Sequence, residues 1–588
     1  MCSLRLPLPL LEFGRMDQGT PGVRTSGITA RAALRLAALL LSAVGVCVAA
    51  ATIKVIPYGR AFWDFLFVMD GAYRIRLGQI PHIDFIAPIG ALTLYLTAWG
   101  ERLFPGGQPF VGLHALMWLL WLPPFAMLAP RFQTGLRFCA ALALLALMVL
   151  VPYTLDKTNL YEISYFASYN RFAVGGLFLV GLWYVLPKSD WDAPLLGYLV
   201  GLLFLLKITA AVVAIGLLVA ACILRRARWR PVFLGLAGLV VVCAVVEAAS
   251  GFVSAYLRDI MFMVRINKGQ GIYALAVAGV RNWAPLAVGA AIVLLAIRDM
   301  TRRRTGLSRA FASLWPLLQS QAFAVDAVLL LGGALAAESQ NTGGIGLVAA
   351  SAALFHPDIR PRGSWRPIAA VLLAASLLLP LLDLMVSRTA TAFHQARFGS
   401  SADPLSPGIL VASPTLAGAE LFRRLSHEWL PMIFDAQVKR FNVDNDPSSN
   451  APATGVAWSE DVVDAAKVFH EKGLEGSAHS YAALAFADPF PQLLGLTPAR
   501  GVTLAVQVGR TIPVFTPPEA SRYLAQADGL FVSECALSAS GEDTIRSVFR
   551  PVLAAEFEPV PLNACWDFYR RKQASPFAPN SPGEAPVR

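Results

Sequence analysis

The sequence predicts a polytopic α-helical membrane protein that ends in an extramembrane α/β domain. Of its 588 residues, 56% are hydrophobic and only 15% are charged, whereas about one quarter of a soluble protein is charged. The apolar runs lie before residue 387, and the chain beyond it has the composition of a soluble domain. The formal charge of +11 comes from arginines in short loops between apolar runs. Such loops set membrane orientation, so we predict no nucleic-acid partner.

Apolar segments of spanning length lie at about residues 32–51, 109–129, 137–152, 172–186, 231–250, 277–297, 317–338, 343–356 and 367–387. Two further segments, 88–104 and 193–223, are ambiguous. Every arginine-rich loop becomes cytoplasmic if 88–104 lies in the interface and 193–223 forms two short helices broken near Lys207. Lys207 then lies at an outward-facing break and not in lipid, where a charge is costly.

This topology predicts about eleven transmembrane helices in a bacterial inner membrane, with the N-terminus cytoplasmic and the C-terminal domain periplasmic. We expect a cytoplasmic tail at 1–31, a transmembrane module at 32–387 with a long first periplasmic loop at 52–108, a periplasmic α/β domain at 388–572 and a disordered tail at 573–588. Met16 is an alternative start. Strand-like runs lie at 408–413, 481–487, 503–508 and 528–534, and helical patterns lie at 459–473 and 518–527. This alternation is typical of α/β layers.

The external loops gather carboxylates, cations and aromatic rings, a set that suits a lipid-phosphate sugar donor. Carboxylates can act as bases, cations hold phosphate, and aromatic rings stack on sugars. The first loop contains Asp64, Asp70, Arg74, Arg76, His82 and Asp84; the second contains Tyr153, Asp156, Lys157, Tyr161, Glu162, Tyr165, Tyr169 and Arg171; the third contains Arg258, Asp259, Arg265 and Lys268. Lys207 joins them from the helix break.

In the first loop, an acidic residue after the first span is followed by GQIPHIDF (residues 78–85), a segment led by Pro88, and LFPG (residues 103–106). This pattern resembles the first loop of GT-C membrane glycosyltransferases, in particular the protein O-mannosyltransferase and aminoarabinose transferase branches. The short hairpin GYLVGLLFLLKITAAVVAIG, with Lys207 at its break, is similar to another feature of the family. The resemblance covers roughly residues 30–300.

The resemblance implies inverting transfer of a sugar from a polyprenyl-phosphate donor to a periplasmic glycan, lipid or protein, with a first-loop carboxylate as general base. Asp64 lies fourteen residues before Gly78, the spacing of the family's acid, and Asp70 lies eight before it. A surface ion pair with Arg74 at i+4 also explains Asp70. We therefore place Asp64 before Asp70 and keep both as catalytic candidates. The sequence departs from the family's Asp-Glu pair, since Phe65 follows Asp64.

The substrate-binding candidates are Arg74, Arg76, His82, Asp84, Asp156, Tyr169, Arg171 and Lys207. Each has an alternative interpretation: Asp84 as a brace of a loop turn, Asp156 as a solvated loop charge, Lys207 as a snorkelling lysine, and the tyrosines as an aromatic belt at the membrane interface.

No cofactor and no tightly held zinc are predicted, because His82 has no second histidine or cysteine nearby; a loosely bound divalent cation stays open. Cys535 and Cys565 are predicted to form a disulfide. The expected partners are the lipid bilayer, the lipid-linked donor and the acceptor. A non-enzymatic transporter or flippase with a periplasmic binding domain is the alternative function, although the sequence lacks the repeated halves of many transporters.

Overall fold

The structure is a computed structural model that describes residues 24–151, 153, 163–165, 167–268, 271–302, 318–339, 345–359, 364–406, 408–428, 452–535 and 542–572. The predictions for Met16, Asp156 and the tail at 573–588 lie outside the described residues.

Helices fill most of the first four hundred residues. They are α1 (Arg24–Thr52), α2 (Phe62–Arg76), α3 (Ala91–Leu103), α4 (Pro109–Leu128), α5 (Gly135–Val149), α6 (Ser168–Val185), α7 (Asp192–Leu206), α8 (Ile208–Ile223), α9 (Trp229–Ser250), α10 (Phe252–Ile266), α11 (Gly271–Arg281), α12 (Trp283–Arg302), α13 (Ala322–Glu338) and α14 (Arg366–Phe398). Within the described residues, five helical segments are long and apolar enough to cross a membrane, in α1, α4 with its short extension to Arg131, α9, α12 and α14. The predicted polytopic helical fold is confirmed.

The predicted break at Lys207 is confirmed. α7 ends at Leu206, α8 begins at Ile208, and Lys207 between them is extended, with φ −161° and ψ 107°. The start of α3 packs against this break, because the Gly90 amide donates to the Leu206 carbonyl at 3.2 Å. A Cβ on Gly90 would lie 2.1 Å from the carbonyl oxygen of Leu205, so only glycine permits this approach.

Three predicted boundaries are wrong. The span predicted at 277–297 is divided at Asn282, whose side chain donates to the Ala278 carbonyl and ends α11. The span predicted at 343–356 is a buried 3₁₀ helix, Gly346–Phe355, packed against α6 and α13. The boundary predicted at residue 387 falls inside α14, which continues through polar residues to Phe398.

The C-terminal region is an α/β fold, as predicted. Its elements are β2 (Gly399–Ala402), β3 (Ile409–Ala412), α15 (Ser413–Glu428), α16 (Pro452–Glu471), β4 (Tyr481–Leu484), α17 (Phe490–Leu494), α18 (Pro517–Tyr523), β5 (Gly529–Ser533), α19 (Glu542–Glu556), β6 (Phe557–Pro561) and β7 (Trp566–Arg571). One sheet has the strand order β4-β5-β7-β6, with β4 parallel to β5 and the other pairs antiparallel. A second sheet pairs β3 with β2 and with β1 (Ile56–Pro57) of the first loop.

The C-terminal region is docked on the first loop. The Ile86 amide donates to Val502, the Leu504 amide donates to Ile86, and the Gly501 amide donates to Asp84, at 2.7–3.0 Å. The strand predicted at 503–508 is wrong: its backbone bonds to the first loop, to Ala485 after β4 and to a following turn, and within the described residues it forms no regular strand. We call the end of the helical bundle where α2, α3, Lys207 and the C-terminal region meet the site face.

Candidate functional site at the site face

Helix α2 places Asp64 in its first turn, at the junction with α6. Ala61 ends the preceding segment in a left-handed conformation, with φ 52°, and Asp64 lies where a carboxylate is favoured by the helix dipole. Its Oδ2 accepts a hydrogen bond from the Ala167 amide, which directly precedes α6. Aromatic residues on both sides of Asp64, Trp63 and Phe65, are buried and fix the helix.

The C-terminal region brings Arg510 to Asp64. Arg510 lies in the turn 507–512 and interacts electrostatically with Asp64 and with Tyr169 in the first turn of α6. The sequence analysis missed Arg510. Its only local signal is the Gly-Arg pair that ends the apolar run at 503–508, and that signal does not say what the arginine faces.

Lys207 belongs to the same group of charges. It interacts electrostatically with Arg510 and with Glu338 at the end of α13. Glu338 is buried and accepts a hydrogen bond from the Gly346 amide at 2.6 Å. Glu338 was also missed, since a single acid at the end of an apolar helix carries no motif. The site thus combines two carboxylates, two cations and one phenol from five segments.

Burial raises the pKa of Asp64 to about 6, against the opposing effects of the Ala167 amide and Arg510. A carboxyl group that titrates near 6 is ionised at neutral pH and is a stronger base than an exposed aspartate. Burial raises the pKa of Asp70 to about 6 as well, so Asp64 is distinguished from Asp70 by its surroundings and not by its pKa.

An apolar groove of about 940 Å³ lies between α3, α7, α9 and α10. Four glycines of α7 and α9 lie along it: Gly197, Gly201, Gly235 and Gly238. At one end its wall is formed by Phe204 and Leu205, which directly precede the Lys207 break. The groove therefore leads towards the charges at the site face.

Asp70 lies on the same helix as Asp64 but in a different environment. Its carboxylate is bound by Arg74 at 3.0 Å, and Arg74 also lies 3.6 Å from Asp488 and donates to the Ala499 carbonyl. The predicted i+4 pair is present, but it is buried and not on the surface, with side chains 1% and 2% exposed. The reason is that the segment 488–499 of the C-terminal region covers this face of α2.

The remaining first-loop candidates join segments of the protein. Arg76 forms an ion pair with Glu101 of α3 at 3.0 Å. His82 Nδ1 lies 2.9 Å from Asp259 of α10. Asp84 accepts from the Ile80 amide and pairs with Arg500, the contact expected of a loop brace.

The second-loop candidates divide between the site and the interior. Tyr169 faces Asp64, whereas Arg171 is buried and donates to the carbonyls of Val151 and Tyr153. Tyr165 is also buried and donates to the Pro57 carbonyl at 2.6 Å. Arg171 therefore holds the chain that leads into the second loop and does not join Lys207 and Arg510.

Cys535 and Cys565 are joined by a disulfide, with Cα atoms 4.7 Å apart, inside the distance that a disulfide requires. In the part of the chain that the structure describes, no three histidine, cysteine or acidic side chains form a metal-binding group.

Comparisons with known proteins return one similar structure. No protein-family model matches the chain, and no curated protein matches it. The crystal structure of ArnT from Cupriavidus metallidurans bound to undecaprenyl phosphate is similar over 93% of this chain and 99% of that chain, with 14% identity and a TM-score of 0.36. At this identity and TM-score, the similarity assigns neither site residues nor a substrate to this chain.

Proposed function

We propose that the protein is an integral membrane glycosyltransferase that uses a polyprenyl-phosphate sugar donor. One observation carries the proposal: the buried Asp64 carboxylate interacts with Arg510, which also interacts with Lys207, and Lys207 lies beside an apolar groove. An isoprenoid chain fits the groove, a phosphate fits the cations, and an acceptor hydroxyl fits the carboxylate.

In the proposed reaction, Asp64 removes the proton from the acceptor hydroxyl as its oxygen attacks the anomeric carbon. The bond between this carbon and the phosphate oxygen breaks at the same time, so the configuration is inverted. The leaving polyprenyl phosphate takes the bonding electron pair, and Lys207 stabilises the charge that develops on it. Tyr169, which interacts with both Asp64 and Arg510, lies where it can contact the sugar.

The acceptor is a glycan, lipid or protein outside the cytoplasm. We further propose that the protein lies in a bacterial inner membrane with its N-terminus cytoplasmic, and that the region from 388 to 572 is its periplasmic domain. This placement exposes the site face to the compartment that contains such acceptors, and an oxidising compartment agrees with the disulfide.

The test uses the donor pool of the native cells. Cells without the protein should accumulate a polyprenyl-phosphate sugar, detected by mass spectrometry of their lipids. The wild-type chain should restore the normal level, and Asp64→Asn at an equal amount in the membrane should not. An unchanged pool after deletion contradicts the proposal.

A second measurement separates a transferase from a flippase, because loss of either raises the donor pool. The accumulated lipid is extracted and incubated in detergent with the purified protein and an extract of acceptors. A transferase releases polyprenyl phosphate without a membrane, whereas a flippase has no effect on the lipid.

A further inference from the structure

Arg510 carries a charge that forms no ion pair within the described residues. Its side chain is exposed, and its only side-chain hydrogen bond among those residues is to Gln507 Oε1 at 3.4 Å. Asp64 and Lys207 are near enough for electrostatic interaction, but within the described residues Arg510 forms no ion pair. A guanidinium held in this way keeps most of its five donors available.

The turn that carries Arg510 is fixed although its side chain is not. Gly509 has a φ of 79°, and its amide donates to the Ile512 carbonyl at 2.7 Å. The Thr511 hydroxyl donates to the Ala505 carbonyl at 2.6 Å. Asn267, at the end of α10, donates to the Arg510 carbonyl at 3.0 Å. The C-terminal region is thereby attached to the helix whose first residues, Phe252 and Val253, line the groove.

Arg510 and Lys207 are like charges whose interaction is unfavourable. An anion that lies between two cations replaces their repulsion by attraction to both. Phosphate suits this arrangement because a guanidinium binds its oxygens in a bidentate manner and an ammonium acts as a point charge. Asp64 and Glu338, the two carboxylates of the site, both repel such an anion, which favours a phosphate position between Arg510 and Lys207.

We propose that Arg510 of the C-terminal region binds the phosphate of the lipid-linked donor from the side opposite Lys207. The site is thus completed only when the C-terminal region is docked on the helical bundle. The inference rests on the proposed function, and it assigns to the C-terminal region a direct part in donor binding.

The test measures binding of polyprenyl phosphate to the purified full-length protein in detergent. Polyprenol of the same chain length, which lacks the phosphate, is measured in parallel. Arg510→Gln should weaken binding of the phosphate about tenfold or more, as expected for loss of a hydrogen-bonded charge, and should leave polyprenol binding unchanged. Arg510→Lys should recover part of the loss.

Arg522→Gln is the matched control, because Arg522 is an exposed arginine of the same region whose side chain contacts the Pro518 carbonyl. Its affinity for both lipids should equal that of the wild type. Equal phosphate affinity of Arg510→Gln and wild type overturns the role of Arg510 and leaves the proposed function intact. An equal loss of affinity for polyprenyl phosphate and for polyprenol also overturns the role of Arg510, since such a loss indicates a structural role. A wild-type protein that does not distinguish polyprenyl phosphate from polyprenol refutes the proposed function together with this inference.

Discussion

Helix α2 carries two buried aspartates, Asp64 and Asp70, whose pKa values are both raised by burial but whose partners differ. In the middle of the helix, Asp70 is neutralised by Arg74 from the same helix, and Asp488 completes a closed buried group. At its N-terminal end, Asp64 makes no ion pair within the described residues, and its nearest opposing cation, Arg510, comes from the C-terminal region. Asp70, whose counterion Arg74 lies on the same helix, helps to join α2 to the C-terminal region. A carboxylate that faces separate cations retains its ability to exchange a proton and to work with a substrate.

The largest expected change in stability follows substitution of Asp70. Asp70→Asn removes one partner of Arg74, which is 1% exposed, so we expect a loss of about 3–5 kcal/mol. A fall in the thermal unfolding temperature of the detergent-solubilised protein measures it. Arg76→Gln is the control: its ion pair with Glu101 is 42% exposed at the arginine, and exposed pairs contribute about 0.2–1 kcal/mol. Equal effects of the two variants contradict the structural role of Asp70.

Gly90 packs against the α7–α8 break that holds Lys207. Gly90→Ala places a Cβ against the Leu205 carbonyl, so the α7–α8 break must shift, at a cost of about 1–3 kcal/mol. Unfolding temperature and affinity for polyprenyl phosphate should both fall. Gly216→Ala in α8, where no heavy atom lies within 4 Å of the new Cβ, should be neutral or stabilising. If Gly90→Ala leaves the affinity for polyprenyl phosphate unchanged, the position of Lys207 does not determine donor binding.

The pH dependence of the rate reports on Asp64. Because its pKa is about 6 and the ionised form is the base, kcat/KM should fall about tenfold per unit below pH 6 and be level above pH 7. Initial rates of polyprenyl phosphate release, measured between about pH 4.5 and about pH 8.5, give this profile. A profile that is flat down to pH 5 contradicts the assignment of the base.

The smallest expected effect is on the stability of Asp64→Asn. The folded-state pKa of Asp64 lies above its unfolded value, so its ionisation destabilises the fold as the pH rises from about 4 through 6. The neutral amide of the Asp64→Asn variant would carry no such cost and can still accept from the Ala167 amide. At pH 8 we expect the variant to be as stable as wild type or more stable by on the order of 1 kcal/mol, with the difference lost near pH 4. A marked destabilisation at pH 8 assigns Asp64 the same structural role as Asp70.

Much of this architecture could be predicted because the information is local. Hydropathy predicts most of the helices, arginine positions predict the break at Lys207, and the i+4 spacing predicts the pair of Asp70 with Arg74. The isolated cysteines predict the disulfide. Each of these inferences uses only residue type and short-range spacing.

The composition of the site could not be predicted in the same way. Arg510 and Asp488 meet α2 only because the C-terminal region docks on the first loop, and no local pattern shows such a contact. The same docking buries Asp70 and Arg74, which the i+4 spacing alone places on a surface. Arg171 is the opposite case: the sequence placed it among the substrate-binding candidates, but its guanidinium donates to main-chain carbonyls in the interior.

The claim that Asp64 is the general base is tested most directly by the rate of polyprenyl phosphate release per folded molecule. Wild type, Asp64→Asn and Asp70→Asn are compared in detergent with the accumulated donor lipid and the acceptor extract. We expect Asp64→Asn to lose about 10²- to 10⁴-fold in rate while it stays folded. We expect Asp70→Asn to lose stability and to retain the rate of its folded fraction within about tenfold. A near-normal rate in Asp64→Asn, together with a loss of rate in Asp70→Asn, would contradict the account and assign the base to Asp70.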